Sequence, residues 1–344
     1  MTKTKLTPSL FYEHVTEYLH IYLPKQIACS PHTIRSYQQG LNQFRRYMEK
    51  EHGQRLSQLA LSMITREVVL AYLHWLIEKK GCSPSTRNQR LASLKSFLKF
   101  ASDKDLGFVS TYLMIQKIPS MKAPKFRVQW IPEVAIHAIL KQPDQSSRGI
   151  RDRMLMIMLY DTGARLSEIL LLKRKDLDLI TTEPYVWLHG KGNKQRIVPL
   201  MDKTVRLLKS YIELFHPNDS NSEAFLFYTT IKGAQHQMCP DTVERLVQKY
   251  GHKAQKQCAQ VPDRVYPHLF RHSRASHLYR SGIPLPVISR FLGHAHLSTT
   301  DIYASADVDM IRASLEKLQS EGEKPIQPLW RDNDEMIAKL CGLT

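Results

Sequence analysis

Apolar residues recur at Ile34, Tyr37, Leu41, Phe44 and Met48, steps of three and four that predict an amphipathic helix. Ser30-Pro31 stands just before it, a hydroxyl able to cap the first turn and a proline suited to the first helical position. Ser83-Pro84 opens a second helix in the same way, with Leu91, Leu94, Leu98 and Ala101 on one face. Between them Thr65 is placed to cap a helix through Val69, Tyr72, Leu73 and Leu76, and Gly81 to end it. A first helix through Phe11, Val15, Leu19 and Tyr22 completes a set of four. The shared Ser-Pro-x-Thr spelling at 30–33 and 83–86 reads as two helices that begin alike, not as a repeat.

Periodicity then stops. Residues 117–131 carry prolines and basic residues without a helical or alternating pattern, which predicts a linker suited to lie along a phosphate backbone. Helical patterns resume at 132–142 and 150–160. Tyr185–His189 and Arg196–Leu200 are β-rich runs around a Gly-Lys-Gly turn, the signature of a hairpin. Further helices are expected at 203–215, 241–257, 268–281, 285–292 and 298–304, while the polar stretch 217–240 reads as a loop peculiar to this lineage. A chain of 344 residues exceeds what one core usually organises. The expected architecture is mainly α with a small β-sheet: a helical domain over 1–116, the linker at 117–131, a mixed domain over 132–305 and a tail at 306–344.

Charge changes the picture. The net charge is +17, and it is uneven: +9 over residues 1–118, +11 over 119–305 and −3 over 306–344. A surplus of this size points to a polyanion, because each neutralised phosphate releases condensed counterions. Charge by itself does not separate DNA from RNA or a membrane surface. Nucleic acid is expected against the first two segments and protein against the third. Arg35, Arg45, Arg46, Arg87, Arg90, Lys95 and Lys99 lie on the two helices that Ser-Pro opens and are expected to form a groove-facing surface. Cys29, Cys82, Cys239, Cys258 and Cys341 are scattered without a Cys-x-x-Cys pair, which fits a reducing compartment. No apolar run approaches the ~20 residues that span a bilayer, and no signal-peptide core is visible, so no membrane partner is expected and the cytoplasm is the expected location, in association with the nucleoid.

Several polar residues have spacings that suit chemistry on a phosphodiester. In Asp161-Thr-Gly-Ala-Arg165-Leu-Ser-Glu168, Gly163 allows a tight entry into a helix and Glu168, three residues after Arg165, can hold its guanidinium. Taken alone, such a pair is an ordinary surface ion pair. His189-Gly-Lys191-Gly-Asn-Lys194 puts two lysines on the hairpin turn, and position alone does not choose between them. It is no phosphate-binding loop of the Walker type, whose spacing is absent. His268 and Arg271 fall on one helical face and can aim at one phosphate. Leu292-Gly-His294 is followed by Tyr303, one of fifteen tyrosines. The histidines His268, His272, His277, His294 and His296 cluster in sequence, but no His-Glu-x-x-His or nearby cysteine supports zinc, and no acidic triad suggests a two-metal nuclease. Neither metal nor cofactor is expected.

The order and spelling of these boxes resemble the tyrosine recombinase family, phage integrases and Xer-like enzymes, over roughly residues 8–305. The resemblance implies an N-terminal four-helix core-binding (SAM-like) domain and a C-terminal mixed α/β catalytic domain clamped around duplex DNA. It implies Tyr303 as the nucleophile forming a 3′-phosphotyrosyl link and freeing a 5′-hydroxyl. Arg165 and Arg271 would hold the phosphate, Lys191 would act as general acid, His268 would bond the phosphate or take a proton, and His294 would donate to a non-bridging oxygen. Glu168 would support Arg165. The family works as a homo-tetramer on two double-stranded recombination sites, in places with an accessory or directionality protein, and passes C-terminal segments between neighbours. Ile311, Leu315 and Leu318 in the tail suit such a docking helix. Phe270 and Arg274 depart from the usual spelling, which suggests repacking and an added DNA contact. The drift of the arginine box favours a mobile-element integrase or transposase. Alternatives are chromosome or plasmid dimer resolution, a type IB topoisomerase-like relaxation, and a DNA-binding regulator that no longer cleaves.

Overall fold

The computed structural model describes residues 11–122, 129–190, 195–217, 222–294 and 300. By internal contacts the chain divides into two compact units, Met1–Lys125 and Phe126–Thr344.

The first unit is helical. Helix α1 (Phe11–Glu17) runs on as a π-helical segment, Tyr18–Gln26, followed by α2 (Pro31–His52), α3 (Arg66–Glu78), α4 (Pro84–Lys104) and α5 (Val109–Gln116). The caps fall where the spelling put them: the hydroxyls of Ser30, Thr65 and Ser83 accept from the amides of Thr33, Val68 and Thr86 at 3.3, 3.3 and 3.2 Å. Aromatic rings fill the centre, with Phe11 edge-on to Phe97 at 4.9 Å and Phe44 edge-on to Tyr72 at 5.1 Å.

Helix α5 was not predicted. It has no side-chain cap and fully buries only Ile115, so neither boundary nor periodicity marks it. It also corrects two expectations. Of the basic residues on α2 and α4 expected to form a groove-facing surface, Arg87 is buried and donates to the Pro119 carbonyl at 3.1 Å. Lys95 donates to the carbonyls of Gln116 and Ile118 at 2.8 and 2.6 Å. These two cations satisfy the backbone that follows α5 instead of facing outward; Arg35, Arg46 and Lys99 are exposed. The start of the expected linker is likewise packed, since Ile118 is buried and Met121 exchanges hydrogen bonds with the Asn88 amide at 2.7 and 2.9 Å.

The second unit is mixed. Its helices are α6 (Glu133–Leu140), α7 (Ser147–Asp161), α8 (Leu166–Leu171), α9 (Asp202–Phe215), α10 (Pro240–Gln255), α11 (Pro267–Arg280) and α12 (Leu285–Leu292). The strands are β1 (Leu177–Asp178), β2 (Tyr185–His189), β3 (Gln195–Pro199), β4 (Tyr228–Ile231) and β5 (Ala234–Gln237). The first three make an antiparallel sheet in the order β1-β2-β3, with Val186 opposite Val198 and Leu188 opposite Arg196. Val186, Leu188 and Val198 are buried, and alternation places Arg196 on the same inward face. Helices α7 and α11 pack together at the centre through residues such as Leu155, Leu159, Leu269 and Phe270.

The segment 217–240 is not the plain loop expected. It holds the β4–β5 hairpin across Lys232-Gly233. Every residue of β5 is exposed, so no apolar alternation announced it. The architecture is thus mainly helical with small sheets. Within the helix expected at 298–304 only Thr300 is described, and the tail 306–344 lies outside the described residues.

Candidate active site

The candidate residues of the second unit gather where three helix ends meet. Helix α7 stops at Asp161, and Gly163 then turns the chain with φ +56°, a left-handed conformation that a side chain would strain. A Cβ there would also lie 3.0 Å from the side chains of Phe291 and Leu292, so the glycine admits α12 closely. Arg165 stands at the N-cap position of α8, where its amide donates to the Glu168 carboxylate at 2.8 Å. The same carboxylate accepts from Arg165 Nη1 at 2.8 Å, and the Arg165 side chain keeps 36% of its surface open.

Arg271 comes from α11 and is buried. Its Nη1 donates to the Gly163 carbonyl at 2.6 Å and its Nη2 to the Leu292 carbonyl at 2.7 Å. One guanidinium thereby satisfies orphan carbonyls at the ends of two other helices. Helix α12 ends on Gly293 at φ +66°, and His294 follows directly. His294 Nδ1 shares a hydrogen bond of 2.9 Å with the hydroxyl of buried Thr300.

Arg196 joins this corner from β3. Its Nη1 and Nη2 donate to the two Glu168 oxygens at 3.0 and 2.8 Å, and its Nε donates to the Phe291 carbonyl at 3.0 Å. Burial alone would raise the Glu168 pKa. The Arg196 fork, and after it the Arg165 amide and guanidinium, outweigh that and hold the carboxyl below its ordinary value. The imidazoles go the same way for a different reason. Burial, then the charges of Arg271 and Arg165, then His268 and Arg196, push His294 down to about 4. His272 is also pushed down to about 4, by burial first and then by His268, Arg271 and His294. His268 is exposed, yet the protein packed around it costs its cation hydration, and with Arg271 and Arg165 this lowers its pKa. Its ring meets that of His272 edge-on at 4.5 Å. At neutral pH the corner therefore combines arginine cations with neutral imidazoles, each able to donate one proton and accept another.

Of the residues expected from the sequence, Arg165, Glu168, His268, Arg271 and His294 meet here. Lys191, Lys194 and Tyr303 lie outside the described residues. Arg196 and Thr300 were missed. Arg196 stood within the hairpin spelling but was read as a flank; its signal was a charge at an inward strand position. Arg274, expected as an added DNA contact, instead lays its guanidinium over the Tyr160 ring at 5.4 Å, with Nε buried and lacking a hydrogen-bond partner. Among the described residues no group of three or more His, Cys, Asp or Glu side chains is placed to hold a metal ion. Among them, too, no helix is long and apolar enough to cross a membrane.

Residues 129–310 match the phage integrase family and residues 15–105 match its N-terminal SAM-like domain. The tyrosine recombinase XerC of Myxococcus xanthus is 31% identical over 314 residues, 90% of this chain and 96% of that protein. Among solved structures, the XerH site-specific recombinase bound to palindromic difH substrate in a post-cleavage complex shares the fold with a TM-score of 0.66 at 21% identity, covering 89% of this chain and 87% of that one. A lambda integrase tetramer bound to a Holliday junction shares it with a TM-score of 0.63 at 16% identity, covering 86% and 78%. A family match over more than half of the chain, together with a recombinase alike along nearly its whole length, places this chain in the phage integrase family of tyrosine recombinases.

Proposed function

We propose that this protein is a site-specific DNA recombinase that cuts and rejoins strands through a 3′-phosphotyrosyl intermediate on Tyr303. The observation that carries the reading is the convergence of Arg165, Arg271, His268 and His294 on one corner, with the Arg165 guanidinium anchored at one end and open at the other. The transition state of phosphoryl transfer spreads charge over oxygens that do not react, and fixed guanidiniums suit it through planar, permanently charged donors. Tyr303 Oη forms a bond to phosphorus as the bond to the 5′ oxygen breaks. The phenolic proton passes to a neutral acceptor, for which His268 is suited, and the departing oxygen takes a proton from Lys191. His294 donates to a non-bridging oxygen. Attack by a partner's 5′-hydroxyl reverses the step, so the ester energy is retained throughout.

The remaining assignments belong to the same reading: duplex DNA bound by the core-binding unit and by the catalytic unit, four protomers on two sites, and the tail at 306–344 docked on a neighbouring protomer. The basic balance of residues 1–305 supports the first, and the tetrameric form of lambda integrase supports the second. Service to a mobile element rests on the spelling of the arginine box; dimer resolution is the competing role, and XerC stands among the similar proteins. The test is incubation in EDTA with a nicked duplex carrying the protein's own crossover junction. A protease-sensitive adduct that Tyr303→Phe abolishes is expected, and its absence with the wild type overturns the reading. Exchange between two differently marked duplexes separates a recombinase from an enzyme that only relaxes supercoils.

A further inference from the structure

Glu168 is buried, and four donors converge on its two oxygens: the Arg165 amide, Arg165 Nη1, and both terminal nitrogens of Arg196. A carboxylate removed from water demands this compensation. Because two guanidiniums share the demand, Arg165 meets Glu168 through one nitrogen only. Its Nη2 lies 3.4 Å from the Gly293 carbonyl, a weak contact. Arg196, by contrast, is engaged through all three nitrogens and its side chain is only 12% exposed. Guanidinium and carboxylate prefer a two-bond fork. Without Arg196, the charge that Glu168 needs would have to come from Arg165, which would turn its fork inward.

We propose that Arg196 is a positioning residue of the strand-transfer site, which neutralises Glu168 so that Arg165 keeps the one-bond pose leaving its other donors for a phosphate. The Arg196 Nε bond to the Phe291 carbonyl ties the same unit to the turn that carries His294. The inference rests on the reading of Arg165 as a phosphate clamp, but the pose itself is observable without activity. In a crystal structure of free Arg196→Gln, Arg165 is expected to fork both terminal nitrogens onto Glu168; a retained single bond overturns the proposal, whatever the protein does to DNA. On the nicked duplex on which the wild type forms its adduct, Arg196→Gln is expected to slow adduct formation by about 100-fold, the scale of one lost transition-state donor. Arg196→Lys keeps the charge and should retain most of the rate. The double variant Glu168→Gln/Arg196→Gln leaves no carboxylate to capture Arg165 and should run about tenfold faster than Arg196→Gln. A double variant no faster than the single one, at matched melting temperature and DNA binding, overturns the proposal in favour of a purely structural ion pair. Should Arg196→Gln fail to fold, the double variant and Arg196→Lys carry the comparison: adduct formation by Arg196→Lys at most of the wild-type rate supports it, and equal loss in both refutes it.

Discussion

Arg87 in the first unit and Arg271 in the second are chemically the same device in different company. Each is a buried guanidinium that donates to main-chain carbonyls, Arg87 to Pro119 and Arg271 to Gly163 and Leu292. Around Arg87 lie Asn88, Lys95 and the backbone after α5, and its guanidinium holds that backbone. Around Arg271 lie Arg165, His268, His272 and His294, whose imidazoles it helps to keep neutral. Burial and a carbonyl partner therefore say nothing about function on their own. What distinguishes the second site is a second guanidinium and three neutral imidazoles beside the fixed charge.

The sharpest way to break this comparison is to remove each guanidinium. Arg271→Met leaves two buried carbonyls without their donor, which costs roughly 2–4 kcal/mol of stability, and adduct formation should fall by about 100-fold or more. Arg87→Met removes a donor to the carbonyl of exposed Pro119, which water can replace, and should cost about 0.5–1.5 kcal/mol, with the rate per bound complex unchanged. Comparable loss of cleavage in both, measured by single-turnover gels beside calorimetric melting, would erase the distinction. Acid provides a milder probe. His272 and His294 have folded pKa values pushed down to about 4, well under the ordinary histidine value. The folded state then binds fewer protons than the unfolded chain between about pH 6.5 and 4, so stability is whole above that window and declines as pH falls through it. Replacing His272 and His294 by Gln should flatten the melting temperature across this range; an unchanged slope would show that the imidazoles are not held neutral. Least of all is expected from Arg274→Leu, where loss of the stack on Tyr160 is offset by removal of the unpartnered Nε, a net change within about 1 kcal/mol in denaturant melts.

Much of the first unit could be read from the chain because Ser30, Thr65 and Ser83 cap their own helices, a local interaction that sequence displays directly. Helix α5 and the β4–β5 hairpin escaped for the opposite reason: the first has no cap and one buried anchor, and the second includes a strand, β5, that is exposed along its whole length. The boxes identified Arg165, Glu168, His268, Arg271 and His294 as candidates, since each carries its neighbours in the spelling. They did not reveal which cations meet which acceptors. The Arg271 carbonyls lie over a hundred residues upstream in one case and on a different helix in the other, and the Arg196–Glu168 fork crosses from strand to helix. Arg87 and Lys95 were misjudged for the same reason, because their acceptors belong to a segment that composition marked as a linker.

The alternation of β3 has a consequence for anyone rebuilding this protein. Arg196 and Val198 point inward while Ile197 points out, so parity, not distance along the chain, decides which residue reaches Glu168. Turns of different length grafted between 190 and 195 preserve that parity, provided the pairing of Leu188 with Arg196 is kept. With the turn-side register held, loss of the residue just before Arg196 would bring Ile197 to the carboxylate in place of the cation, and one residue added ahead of Gln195 would bring Gln195 there.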